Sequence, residues 1–310
     1  MDALDAIILR QLGVEAFAGR ANRAPSLRAS DVARSLGRRV RLVQDRITRM
    51  EESGVIAGYA LMPNPRHLGM ALTTTYVPTP GAAGEDTLRG LADVDGCVMA
   101  LAYLGEGICF TMSHGSVEER DRRLAIVGHL AASPRAALTM YQHDLPQPPR
   151  TLTPLDWRII AAFAPEPKRH LADVADELNV TLKTVRTRLA RMREEGSVDE
   201  IALVDFSKMA GVMPFEIAVW CDDTEAVLPH LLRRLHEHYW VHFRGPPGGY
   251  CDILVRVFTT TPAEAHAVVQ AAASVPGVSR AEALMAAAAH ADPRWLQEAI
   301  RAQVAATSTL

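Results

Sequence analysis

The chain has 310 residues, 48% of them hydrophobic and 22% charged, with a net charge of −3 and a pI near 6.4. That length holds two or more domains with ample core, and the charge excludes a uniformly basic nucleic-acid binder, so any DNA contact has to come from local clusters. The four cysteines, Cys97, Cys109, Cys221 and Cys251, form no CxxC pair, which excludes a disulfide framework or zinc site and fits a reducing compartment.

The N-terminal stretch MDALDAIILRQLG is too acidic, and its apolar run too short, for a signal peptide. No segment approaches the roughly 18 apolar residues of a membrane span. The expected location is the cytoplasm, with no membrane partner. Ala3 to Leu12 reads as a first helix, and Gly13 to Ser26, with Arg20, Arg23 and Pro25, as an insertion that forms an exposed loop or an extended helix end. Leu27 to Leu36 reads as a positioning helix and Val40 to Ser53 as a second, recognition helix. Val55 to Leu61 is expected as a wing strand, ended by Pro63 and Pro65, which cannot continue a ladder. From Gly69 the pattern changes. Ala71 to Val77 reads as a strand, Glu85 to Val94 as a helix, and Cys97 to Leu104 and Ile108 to Ser113 as a hairpin. Val117 to Ala131 reads as a helix and Ala136 to Tyr141 as a closing strand. That order is β-α-β-β-α-β, the ferredoxin-like plan. Asp144 to Thr153, rich in proline, reads as a linker.

Beyond the linker the order repeats. Leu171 to Leu203 gives two short helices, with Val174, Ala175 and Leu178 on one apolar face and Val185, Leu189 and Met192 on the other. Asn179-Val180-Thr181 forms the turn, Thr181 the N-cap, Gly196 the helix stop, and Ser197 to Leu203 a wing strand. An offset of 142 lays Asp31-Val32-Ala33 on Asp173-Val174-Ala175, Arg46 on Arg188, Arg49-Met50 on Arg191-Met192, Gly54 on Gly196 and Gly69 on Gly211. So many identities at one gap-free offset mark an internal duplication. Leu4-Asp5 matches Leu155-Asp156 at an offset of 151, which places a nine-residue insertion in copy one within Gly13 to Pro25. Phe215 to Cys221, Thr224 to His238, Trp240 to Arg244, Tyr250 to Phe258, Ala263 to Ala273 and Ser279 to Ala286 then repeat the β-α-β-β-α-β order. Pro293 to Ala305 adds a terminal helix whose Trp295, Leu296, Ile300 and Val304 are available for packing. The expected fold is α+β in five segments: winged helix-turn-helix 1 (1–66), ferredoxin-like domain 1 (67–148), winged helix-turn-helix 2 (149–208), ferredoxin-like domain 2 (209–290) and the C-terminal helix (291–310).

A helix-turn-helix lays its second helix in the DNA major groove. The residues expected to face DNA are Arg38, Arg39, Arg41, Gln44 and Arg49 in copy one, and Thr181, Lys183, Thr184, Arg186, Thr187 and Arg191 in copy two. Arg46 and Arg188, flanked by core positions, are expected to snorkel or to pair with Asp31 and Asp173. His236, His238 and His242, with Tyr239 and Arg244, form a cluster whose simplest reading is a helix C-terminus favoured by the dipole. No metal set, P-loop, HExxH, GxGxxG, nucleophile elbow or paired-carboxylate signature is present.

Together Leu155-Asp156, Val185-Arg186-Thr187-Arg188-Leu189, Met192 to Val198 and the hairpin Gly249-Tyr250-Cys251-Asp252-Ile253-Leu254-Val255 resemble the Lrp/AsnC (feast/famine) transcription regulators, over nearly the whole chain and twice. The resemblance implies DNA binding by the winged domains, assembly through the β-α-β-β-α-β domains and often a small effector such as an amino acid. It places that effector near Gly249, Tyr250 and Asp252, where Asp252 either lines a pocket or anchors the hairpin. Three departures stand out: the units are fused, so that one chain could be a pseudo-dimer; Cys109 stands near where copy two has Asp252; and Gly245-Pro246-Pro247-Gly248 lengthens or stiffens the loop beside the expected effector region of copy two. The expectation is a sequence-specific DNA-binding regulator, not an enzyme, with no cofactor or metal, whose partners are double-stranded DNA, a small effector and a second fused chain. The alternative is enzymatic: siroheme decarboxylases share this two-domain plan and surround a tetrapyrrole with histidines and arginines, and the His236-to-Arg244 cluster invites that comparison.

Overall fold

The computed structural model describes residues 1–13, 26–291 and 294–308; the expected insertion, past Gly13, lies outside the described residues. The chain is α+β, two tandem units that each place a helix-turn-helix and a following strand before a β-α-β-β-α-β domain. Copy one runs α1 (Ala3–Leu12), α2 (Ala29–Leu36), α3 (Val40–Glu52), β1 (Ile56–Pro63), β2 (Ala71–Val77), α4 (Glu85–Ala92), β3 (Cys97–Tyr103), β4 (Ile108–His114), α5 (Val117–Leu130) and β5 (Leu138–Gln142). Copy two runs α6 (Pro154–Phe163), α7 (Leu171–Leu178), α8 (Leu182–Glu194), β6 (Val198–Val204), β7 (Met213–Cys221), α9 (Thr224–Arg234), β8 (Tyr239–Arg244), β9 (Ile253–Thr259), α10 (Pro262–Ala273) and β10 (Val278–Leu284). β11 (Ala286–Ala291) and α11 (Arg294–Ser308) follow.

Compactness gathers the chain across the duplication. One unit holds Met1–Ile7, Ala71–His143 and Phe206–Asp292; the other holds Ile8–Met70, Asp144–Asp205 and Pro293–Leu310.

The second of these contains both helix-turn-helix motifs. Val32, Ala33, Val43, Ile47 and Met50 bury the inner face of one, and Val174, Ala175, Val185, Leu189 and Met192 that of the other. Each turn needs a left-handed residue after its positioning helix, supplied by Gly37 (φ 61°) and Asn179 (φ 54°), whose N–H groups bond back into the last helical turn. Thr153 caps α6 in a capping box with Asp156. The two expected wing strands are both present, and they pair with each other: β1 runs antiparallel to β6, from Ile56 opposite Val204 to Pro63 opposite Val198. A lone strand would expose an unpaired row of backbone groups, and each copy supplies the other's. Lys168 adds a second tie between copies, its Nζ 2.7 Å from Glu51 and 3.6 Å above the Tyr59 ring. The terminal helix α11 packs on α6 and buries Leu296 and Ile300.

The other unit contains two sheets, β11-β3-β4-β2-β5 and β10-β7-β9-β8. Helices α4 and α5 cover one face of the first over Val77, Leu91, Phe110, Met112 and Val127, and α9 and α10 cover the second over Ile217, Leu231, Val255 and Val268. The faces without helices meet: the Tyr141 ring stacks on Phe243 with centroids 3.9 Å apart, and Tyr103 reaches Glu216. The stretch expected as one closing strand, Ser279 to Ala286, is in fact divided between two. β10 pairs with β7 of its own copy, whereas β11 crosses to the edge of copy one, Ala286 opposite Tyr103 and Ala291 opposite Met99.

The polar centre of the helix-turn-helix unit is Asp156, which is wholly buried. Its carboxylate accepts from Arg150 Nη1 at 2.8 Å, Arg188 Nη1 at 2.9 Å and the Thr153 N–H at 2.9 Å. Burial alone would raise its pKa, but these donors hold it down at about 2. Its folded value lies below the ordinary one, so its stabilisation is present above about pH 4 and is lost as pH falls through about 2. Asp156→Asn is expected to cost about 2 kcal/mol in urea unfolding at pH 7, and the gap between variant and parent should close as the pH is lowered towards 2.

Candidate functional site

Two groups of residues offer chemistry. The first is the outer faces of α3 and α8. Arg38, Arg39, Arg41, Gln44 and Arg49 are exposed, as are Thr181, Lys183, Arg186, Thr187 and Arg191, while Thr184 is half-buried. Several are already engaged within their own helix. Arg41 lies 4.0 Å from Asp45, Arg191 is 2.6 Å from Glu195, Gln44 donates to Thr48, and the Thr181 hydroxyl caps α8 by accepting from Thr184 N–H. Helix packing fixes which face points outward, and the basic residues lie on that face. Beside them Val40 and Leu42 are exposed on α3 and Leu182 on α8.

Of the two arginines set apart from this group, Arg188 departs from the sequence expectation. Arg188 does not pair with Asp173; it pairs with Asp156, because the capping box fixes that carboxylate in the interior while Asp173 stays exposed on α7. Asp31 is held locally by Arg34 at 2.9 Å and by the Ser26 hydroxyl.

The second group lies on the helix-free faces of the paired sheets. Glu216 and Arg256 are direct neighbours on β7 and β9, both buried, with Arg256 Nη2 2.5 Å from Glu216 Oε1. Tyr103 of copy one donates its phenolic hydroxyl to the other oxygen, Oε2, at 2.6 Å. Burial, reinforced by the Glu216 carboxylate among its neighbours, holds the Tyr103 phenol well above its ordinary range. At the equivalent rung of copy one, Thr74 faces Thr111 at 2.9 Å, and Thr74 Oγ1 also meets His143 Nε2 at 3.1 Å. His143 is half-buried, with its ring against Tyr141 and Phe243 at centroid distances of 5.1 and 5.9 Å. Further along, Tyr76, Tyr250 and Trp220 form a half-buried aromatic row, with centroids 4.2 and 5.6 Å apart and the Arg280 guanidinium 4.3 Å over Trp220.

None of these pairs was singled out from sequence, although a signal was present. Glu216 and Arg256 are lone charges inside otherwise apolar strands, and a buried charge needs a partner nearby.

Gly249, Tyr250 and Asp252 belong to the loop between β8 and β9 and serve to dock it. Tyr250 N–H donates to Thr139 O at 2.8 Å, and a Cβ on Gly249 would stand 2.6 Å from that same oxygen. Asp252 Oδ2 accepts from Cys221 N–H at 2.9 Å, anchoring the end of β7. The position matching Asp252 in copy one is Gly107, not Cys109: the last rungs are Arg244 opposite Ile253 and Ala102 opposite Ile108, so each residue falls just before its strand. Cys109 is instead a buried strand residue opposite Tyr76.

The histidine cluster disperses. His236 lies in an exposed turn, with Nδ1 3.0 Å from Arg233 O at the end of α9. His238 Nδ1 meets Phe258 O, and His242 Nδ1 meets the Tyr239 hydroxyl. His242 lies opposite Val255, on the helix-covered face, and burial followed by the nearby Arg244 charge lowers its pKa. Arg244 forms a bidentate pair with Glu225. Among the described residues no group of His, Cys, Asp and Glu is disposed to hold a metal ion, and no helix is long and apolar enough to cross a membrane.

No family model and no curated protein matches this sequence. Among solved structures, siroheme decarboxylase NirDL is similar over 99% of this chain and 98% of its own, with a TM-score of 0.56 and 12% identity. The same enzyme in co-complex with an iron-uroporphyrin III analogue is similar over 97% of this chain and 99% of its own, with a TM-score of 0.53 and 14% identity. E. coli AsnC is similar over 44% of this chain and 92% of its own, with a TM-score of 0.35 and 18% identity. At these identities the likeness shows the fold. It also overturns the expectation that the chain is not an enzyme, since these two likenesses, which run along its whole length, are to an enzyme.

The docking role of the β8–β9 loop is open to direct measurement. Gly249→Ala forces the Thr139 carbonyl or the loop to move, a strain on the order of 1–3 kcal/mol. The variant should melt several degrees below the parent in a calorimetric scan, and an unchanged melting temperature would show that the loop does not bear on the sheet edge.

Proposed function

We propose that the chain is an enzyme acting on a carboxylated, iron-bearing tetrapyrrole, a decarboxylase of the siroheme class. The observation that carries this reading is the extent of the likeness: both fused units, in the same order, are covered by the decarboxylase structures end to end. The local chemistry supports it. Loss of carbon dioxide from an acetate side chain breaks the bond between methylene and carboxylate, and a proton replaces the carboxylate on carbon. His143, half-buried and oriented by Thr74, is the residue we assign to supply that proton. The aromatic row of Tyr76, Tyr250 and Trp220, capped by Arg280, offers flat π surface and a cation, the groups that a flat polyanion requires.

A second reading is favoured by one observation, the outward basic faces of α3 and α8 in both copies. In it the chain binds double-stranded DNA through Arg38, Arg39, Arg41, Lys183 and Arg186, as a regulator that responds to a small effector and associates with further chains.

Anaerobic incubation with siroheme, followed by mass spectrometry, decides the first reading. Stepwise loss of carbon dioxide from the tetrapyrrole is expected, and His143→Ala should slow it by roughly 100-fold or more while leaving tetrapyrrole binding, followed by absorbance, within a few-fold of the parent. Absence of both binding and turnover would sink the reading. The second is tested by titrating upstream DNA across a salt series. Nanomolar, salt-steep binding that Lys183→Glu with Arg186→Glu abolishes would support it, whereas weak, sequence-blind binding would remove it.

A further inference from the structure

The two β-α-β-β-α-β domains are alike in plan, but their facing surfaces are not alike in chemistry. Ladder register makes the comparison position by position. The rung that holds Glu216 and Arg256 in copy two holds Thr74 and Thr111 in copy one. One residue past the last rung of the hairpin, copy one has Tyr103, whose N–H bonds to Gly107 O, and copy two has Gly245, whose N–H bonds to Asp252 O. Tyr103 crosses to copy two and donates to Glu216 Oε2. Gly245 has no room for a side chain: a Cβ there would meet Cys251 O at 1.8 Å and Met140 O, on copy one, at 3.1 Å.

From this the geometry points to an interface that recognises its complement and rejects its like: we infer that each β-α-β-β-α-β domain is built to pair with the other kind of domain and not with a second copy of itself. Two copy-two faces would meet with a glycine opposite each Glu216, so each buried carboxylate would keep Arg256 but lose the phenol on Oε2, an oxygen that burial makes costly to leave unmet. Two copy-one faces would set each Tyr103 against a Thr74–Thr111 pair that already satisfies itself, leaving the phenol without its carboxylate, and would bring a tyrosine Cβ into tight contact with the Met140 carbonyl, at about the 3.1 Å found for a Cβ on Gly245. The mixed pair alone satisfies the carboxylate and seats the ring. The partner this surface fits is therefore the complementary half, from the same chain or from a second one, and the preference holds whichever chemistry the protein performs.

The test uses the full chain with a protease site placed in the linker between Asp144 and Thr153. After cleavage the halves are incubated under mild denaturant to allow exchange, and the pairs are counted by native mass spectrometry. The parent should return mixed pairs almost alone. Glu216→Thr with Arg256→Thr, which copies the copy-one rung into copy two, should raise like-with-like pairs of copy two roughly tenfold. Tyr103→Phe keeps the packed ring and removes only the hydroxyl, a smaller change to the fold than the double variant, and it too should raise like pairs roughly tenfold. Like pairs in statistical proportion in the parent would overturn the inference. So would a mixed-pair fraction unmoved by Tyr103→Phe, because the selection would then come from the helix-turn-helix ribbon or from β11 on β3, and not from this lock.

Discussion

A β-α-β-β-α-β domain has helices on one face of its sheet only, and the need to cover the other face governs much of this molecule. β4 and β9 are buried along their whole length, on both faces. Each sheet is thus an incomplete core that the other completes, and the cross-copy contacts of Tyr141 with Phe243 and of Tyr103 with Glu216 follow from that demand. The gain is hydrophobic and large, on the order of 1.5–3 kcal/mol for each large apolar side chain taken out of water. A single copy would leave that face open, so duplication supplies in one chain what an unfused unit would have to obtain from a second.

The same logic operates in the helix-turn-helix unit, with hydrogen bonds in place of apolar area. Among the described residues neither β1 nor β6 has a strand partner within its own copy, and the ribbon they form satisfies the facing rows of backbone groups of both. Asp156 then joins three elements of copy two, the linker through Arg150, the start of α6 through Thr153 and α8 through Arg188. The outward face of α8 is held in place by a carboxylate that no solvent reaches. Removing it would leave two guanidinium groups without their main anion, and this explains why the site that presents basic residues to the outside depends on an acid inside.

What could be read from the sequence follows a physical line. The element order, the turn at Asn179, the helix stop at Gly196, to which Gly54 corresponds, and the core faces of both helix pairs were legible, because they depend on neighbours within a few residues and on backbone conformations few residue types tolerate. The duplication was legible because the offset preserves those same local demands. What escaped was every pairing between distant segments. β11 adding to β3, Lys168 reaching Glu51 and Arg188 choosing Asp156 over Asp173 have no local signature. The histidine cluster shows the same limit: closeness in sequence across a helix end and a strand does not make closeness of side chains, and His236, His238 and His242 each bind a different carbonyl or hydroxyl.

The copies keep residue types at helix-turn-helix positions and differ in chemistry at a rung where they face each other. Helix-turn-helix positions that hold the local fold kept their residue types, while the equivalent rung of the two sheets became Thr–Thr in one copy and Glu–Arg in the other. A buried ion pair is a poor source of stability, since desolvation consumes most of its attraction, so its presence in an apolar interior is better explained by what it distinguishes. Here it distinguishes one sheet from its near-twin. The consequence reaches the candidate site: Tyr141 lies opposite Thr74 and Leu284 opposite Glu216, so the position two residues further on is His143 beside the Thr–Thr rung of copy one and Ala286 in copy two. A site at this face is consequently single and asymmetric, built from one copy of each kind, even though the fold that carries it is double.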